Sequence, residues 1–130
     1  MARVLVLTKD LLFGSNVQGA LTLAGNEVEL VGDAPRLKEL LAVGGDEASE
    51  DRATAPAAVL IADLTDSELD GAAIVSSLRE DGRLGATRTL AFYSHVELAA
   101  RESAERAGFD LVVARSRMAR EGAELVAGLL

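Results

Sequence analysis

Any chemistry of this chain has to be sought around Asp63. It follows the apolar run Ala57-Ala58-Val59-Leu60-Ile61-Ala62, so a buried strand delivers one carboxylate to its own carboxyl end. Asp70-Gly71 comes shortly after and opens the next helical pattern. In open α/β sheets ligands bind outside the carboxyl ends of the strands, which puts Asp63 where a site is expected. The other candidates for chemistry fail on composition or spacing. The chain has no cysteine and one histidine, which removes thiol catalysis, disulfides and Cys- or His-cluster metal sites. That histidine, His95, follows Ser94 directly, but adjacency in sequence does not make a triad. Gly14 and Gly19 have the outer spacing of a phosphate loop, yet Ala20-Leu21 stands where Lys-Ser/Thr is required. Thr8, Ser15 and Asn16 are thin material for a flavin-binding first loop, and aromatic residues make up only 3% of the chain.

The elements that must position Asp63 alternate regularly. Strands are expected at Arg3–Leu7, Glu27–Val31, Ala58–Ala62, Thr89–Tyr93 and Leu111–Ala114. Helices are expected at about Ser15–Ala24, Pro35–Ala42, Gly71–Glu80, Val96–Ala107 and Ala119–Leu130. Continuous apolar strands joined by helices imply a parallel sheet covered on both faces. The second strand alternates Glu27, Val28, Glu29, Leu30, as suits an edge. Right-handed crossovers leave few topologies. The expected fold is therefore α/β, a flavodoxin-like doubly wound five-stranded parallel sheet in order 2-1-3-4-5 with helices on both faces. At 130 residues the chain is one domain, 1–130. Gly44 to Pro56 departs from this compact spacing. It is glycine-bearing and acidic and reads as a surface excursion, the alternative being a docking segment for a basic partner.

Composition narrows the partners. Thirteen basic against 21 acidic residues give a net charge of −8, which argues against nucleic acid as the main partner, since phosphate binding needs a basic footprint. No apolar run reaches membrane length and no secretion signal is seen, so the expectation is a cytoplasmic protein with no membrane association.

Asp63 at the end of strand three, Asp70-Gly71 behind it, Ser94 after Leu90-Ala91-Phe92-Tyr93, Ala107-Gly108 closing helix four and Arg115 after Val112-Val113-Ala114 form one set. With this strand order the chain resembles the receiver domain of bacterial two-component response regulators over nearly its whole length. The resemblance implies that Asp63 is the phospho-acceptor position, that Ser94 is the hydroxyl at the end of strand four, and that Arg115 stands in for the family's lysine. It also marks departures. The family has two acidic residues after strand one that hold a divalent cation; ungapped, those positions are Thr8 and Lys9, with Asp10 one place too late. Asp66-Ser67 replaces the family's Met-Pro, and Ser116 replaces the proline after the lysine.

Phosphoryl transfer to a carboxylate depends on placement and charge neutralisation, and Mg²⁺ demands near-octahedral oxygen ligands. This corner offers Asp63, Asp10 and the Thr8 hydroxyl, with Asp66 nearby, while Lys9 reverses the local sign. The expectation is that the Lys9 ammonium occupies the cation's place and pairs with Asp63, with no metal or other cofactor required. The leading reading is a degenerate stand-alone receiver-like module, not an enzyme, acting through protein–protein contacts. The alternative is a working phospho-acceptor in which Asp10 and Asp63 hold Mg²⁺, Asp63 dephosphorylates itself and a histidine kinase is the partner. A third reading is a flavin or nucleotide binder at the switch point. By family analogy the contact face for a partner protein or homodimer is helix four, strand five and helix five, with Glu97, Arg101, Glu105, Arg115, Arg117 and Arg120. Plainer roles stand beside these. Asp70 reads as an N-cap with Gly71 at the first helical position, and Ser94 with Glu97 reads as a capping box. Arg115 pairs with Asp63 or with solvent. Leu11-Leu12-Phe13-Gly14 forms an apolar first loop that either is an exposed patch or folds inward.

Overall fold

The computed structural model describes residues 2–41, 57–66, 68–94 and 98–130. Five strands, β1 (Arg3–Leu7), β2 (Glu27–Val31), β3 (Val59–Asp63), β4 (Arg88–Tyr93) and β5 (Leu111–Ala114), alternate with five helices. These are α1 (Leu11–Leu23), α2 (Ala34–Leu40), α3 (Gly71–Glu80), α4 (Leu98–Ala107) and α5 (Arg115–Leu129). All strand pairs are parallel and the order is β2-β1-β3-β4-β5, as the sequence predicts. Side chains alternate across a strand, so an unbroken apolar strand feeds two cores. Val4, Val6 and Ile61 pack with Phe13, Val17, Met118 and Val126 on the α1 and α5 side. Leu5, Leu7 and Leu60 pack with Leu37, Val75 and Leu78 on the α2 and α3 side. The two central strands thereby hold their carboxyl ends, Leu7 and Asp63, beside each other and beside β4, with Asp63 in register with Phe92.

Two helix starts differ from the sequence reading, and both lie at this corner. Helix α1 begins at Leu11, not near Ser15. Asp10 is its N-cap, with Oδ1 accepting the Phe13 N–H at 3.0 Å. The apolar first loop is thus the first turn of α1. Phe13 turns into the core, while Leu11 and Leu12 are 71% and 77% exposed. Helix α5 begins at Arg115, directly after Ala114 and without a side-chain cap. Non-helical angles at Glu121 divide it into two stretches. The expected Val96 start of α4, the capping role of Ser94 with Glu97, and the acidic segment 44–56 fall on residues outside the described set.

Candidate functional site

Asp63 is 2% exposed. A carboxylate taken this far out of water must have its oxygens satisfied, and every donor recorded for it is uncharged. Thr8 Oγ1, itself 2% exposed, donates to Asp63 Oδ2 at 2.6 Å. The Thr65 backbone N–H donates to Oδ1 at 2.7 Å and the Thr65 hydroxyl donates to the same oxygen at 2.5 Å. Thr8 Oγ1 also accepts the Asp10 N–H at 3.0 Å, which commits its single proton to Asp63. Position 8 brings a hydroxyl to the carboxylate where the resemblance implies an acid.

The expected Lys9–Asp63 pair is not formed. Lys9 is exposed, and no ion pair joins it to Asp63 among the described residues. The physical reason is desolvation. Drawing an ammonium out of water beside a buried carboxylate costs several kcal/mol, whereas the short Thr8 hydroxyl reaches the same oxygen without burying charge. Both oxygens of Asp10 are taken up by other partners. One of its oxygens caps α1; the other accepts from Arg115 Nη2 at 2.8 Å. Arg115 therefore pairs with neither of its expected partners, Asp63 or solvent alone. Its guanidinium also lies over the Phe13 ring, 4.4 Å from the centroid, and Phe13 packs on Phe92 with centroids 4.9 Å apart. The cap bond from Phe13, more than the neighbouring Arg115 charge, holds the Asp10 carboxyl below its ordinary value of 3.8, against a smaller opposing effect of desolvation.

The remaining residues serve the approach of α3. Asp66 Oδ1 accepts the Glu68 N–H at 2.9 Å, shaping the turn after β3. Asp70 takes a left-handed backbone, φ 47°, and caps α3 by accepting from the Ala73 N–H at 3.3 Å. Gly71 lies so close to β3 that a Cβ there would sit 2.9 Å from the Asp63 carbonyl oxygen. Ser94 follows β4 and is half-buried. On the α4–β5–α5 face Glu105 is exposed, Arg117 pairs with Glu121 at 3.5 Å and Arg120 Nε donates to the Ser116 carbonyl at 3.4 Å. Glu97 and the side chain of Arg101 lie outside the description. Sequence reasoning missed Thr65. Its signal was an Asp followed two residues later by a hydroxyl residue at a strand end, the pattern of an Asx turn. It also missed Phe13 as the platform for Arg115.

No protein-family model matches the chain, and no curated protein matches it by sequence. Its fold is that of response-regulator receiver domains. The chemotaxis protein CheY4 of Vibrio cholerae superposes with a TM-score of 0.76 at 18% identity, covering 100% of this chain and 99% of that one. A putative response regulator from Chloroflexus aurantiacus gives 0.79 at 16% identity, over 98% and 96%. The Mn²⁺-bound form of response regulator Rcp1 gives 0.71 at 14% identity, over 99% and 91%. At these identities the likeness is one of fold.

Proposed function

We propose that the chain is a receiver-fold signalling module that works in the cytoplasm through contacts with a partner protein, and that Asp63 serves it as a structural carboxylate and not as a metal-dependent phospho-acceptor. The observation that carries this reading is the 2.6 Å hydrogen bond from Thr8 to Asp63, because it occupies an acceptor oxygen from the position an acidic ligand would need. The donor set does not suit Mg²⁺, which requires several convergent oxygens. Both Asp10 oxygens are engaged, one by the α1 cap and one by Arg115. Among the described residues no three Asp, Glu, His or Cys side chains are grouped to hold a metal. The contact surface is read from the resemblance as α4, β5 and α5. No described helix is long and apolar enough to cross a membrane, which is compatible with this role.

The test is metal and phosphate binding compared in two forms of the chain. Mg²⁺ is titrated calorimetrically into the wild type and into Thr8→Asp, and both are incubated with acetyl phosphate and weighed intact. The expected result is no saturable Mg²⁺ heat and no stable phosphorylated species for the wild type, with Mg²⁺ binding gained by Thr8→Asp. Saturable Mg²⁺ binding by the wild type together with a phosphoryl group mapped to Asp63 would overturn the proposal and restore the working-acceptor reading.

A further inference from the structure

The helix α1 sets itself apart from the rest of the surface. Among the described helices it alone has no charged residue, running Leu-Leu-Phe-Gly-Ser-Asn-Val-Gln-Gly-Ala-Leu-Thr-Leu, in a chain whose net charge is −8. Of the four large hydrophobic side chains exposed among the described residues, three are on α1: Leu11, Leu12 and Leu23, the last 92% exposed. Their spacing is ordered. Leu11, Ser15, Gly19 and Leu23 follow one another at four-residue intervals, a single ridge on the helix surface, and all four are exposed. Bulky residues close the ridge at both ends. The middle is low, and nothing lies within 4 Å of where a Gly19 Cβ would be.

We propose that this face of α1 is a self-association surface on which a second copy of the chain lays its own α1 antiparallel. The ridge argues for a second copy because it is self-complementary. A two-fold axis through its middle, between Ser15 and Gly19, sets Leu11 and Leu12 of each copy against the partner's Leu23, about 18 Å along the helix. It crosses the helices where the side chains are smallest. Such an isologous arrangement needs each residue's counterpart on the same patch, and α1 supplies it. Charge points the same way. Two chains of −8 repel across their acidic surfaces, and α1 offers a face on which no like charges meet. A basic partner would instead find its attraction elsewhere on the molecule. Helix α1 packs on α5 through its buried side, with Phe13, Val17 and Leu21 against Met118, Leu125 and Val126, so its exposed ridge is a different set of residues from those named on α4, β5 and α5, and the proposal does not depend on the state of Asp63. A single helix pair buries less than the ~1,200–2,000 Å² of stable interfaces, so the dimer is expected to be weak and to form at high concentration.

Sedimentation equilibrium over a concentration series tests this. The wild type is expected to show a monomer–dimer equilibrium. Gly19→Gln, which has room in the monomer, is expected to abolish it by filling the crossing point while leaving thermal stability equal or higher. Leu23→Glu is expected to abolish it as well, and mixing Leu23→Glu with Leu12→Lys is expected to restore a one-to-one heterodimer through the antiparallel contact. Leu130→Glu, another exposed leucine, is expected to associate like the wild type. A wild type that stays monomeric up to about 1 mM, the weak limit of specific binding, would overturn the proposal and leave α1 to a different protein. Association that Gly19→Gln and Leu23→Glu both leave intact would overturn it as well.

Discussion

Replacing Thr8 by valine removes one hydroxyl and almost no volume, so it isolates the Thr8–Asp63 bond. Thr8 and Asp63 are each 2% exposed, and water cannot readily take the lost donor's place. A hydrogen bond to a charged group contributes about 1.5–3 kcal/mol, and leaving a buried acceptor without its partner costs a similar amount. The Asp10 N–H also loses its acceptor, but Asp10 is half-exposed and water can serve it. The expected loss is therefore about 2–3 kcal/mol, a large share of the ~5–15 kcal/mol that holds a domain together, and a fall in melting temperature of about 6–12 °C for a chain of this size. Urea denaturation followed by circular dichroism measures it. The control is the same substitution in an Asp63→Ala background, where no carboxylate remains to be served and the expected cost is within about 0.5 kcal/mol. Equal costs in the two backgrounds would show that valine disturbs packing and that the bond carries no stability. A Thr8→Val midpoint at the wild-type value would refute the buried-bond reasoning altogether.

The lowered Asp10 pKa makes a signed prediction. Because its folded value lies below 3.8, Asp10 stabilises the fold above the unfolded pKa, and that contribution is lost as pH falls through the folded one. Asp10→Asn keeps a capping side chain but not the charge. The wild type should therefore be the more stable at neutral pH, with the advantage vanishing as denaturation midpoints are followed into the acid range; a constant advantage would contradict the assignment. Glycine-to-alanine changes should have opposite signs in two helices. Gly71→Ala forces a Cβ to 2.9 Å from the Asp63 carbonyl oxygen and should cost about 1–3 kcal/mol. Gly19→Ala meets nothing and should add about 0.5–1 kcal/mol through helix propensity. Thermal melts of both variants decide it.

The strands and their order could be read from the chain because the inner strands are short, mainly apolar runs, as a parallel sheet covered on both faces requires, while the second alternates Glu27, Val28, Glu29, Leu30 as an edge strand does. The same regularity located Asp63. What escaped the sequence were the helix starts at the site. The start of α1 is fixed by Asp10, whose side chain accepts the Phe13 N–H and whose carbonyl accepts the Gly14 N–H, whereas the apolar run Leu11-Leu12-Phe13 reads equally well as an exposed loop or as one folded inward. The start of α5 has no capping side chain at all; only its second stretch, beyond the break at Glu121, carries the periodic pattern the sequence shows. The expectation about Lys9 went wrong for an energetic reason. Position alone put an ammonium beside Asp63, while the cost of drying it favoured the neutral hydroxyl one residue earlier.

A shift of one residue accounts for the whole rearrangement of this corner. An acid at position 8 or 9 would leave the strand end with its carboxylate available to Asp63. At position 10 the acid is the last residue before α1, and the helix's unpaired N–H groups claim it as a cap. Its second oxygen then faces outward, where Arg115, at the first position of α5, meets it at 2.8 Å. Arg115 in turn covers Phe13, the residue whose N–H the same acid has bound, so Asp10, Arg115 and Phe13 close on themselves. Asp63 is left to the nearest groups that can enter a dry site without charge, Thr8 and Thr65. Groups that would converge on one ion in an acidic pocket are thus divided into an inner neutral set and an outer charged set. The contact of Phe13 with Phe92, the β4 neighbour of Asp63, is a packing link between them.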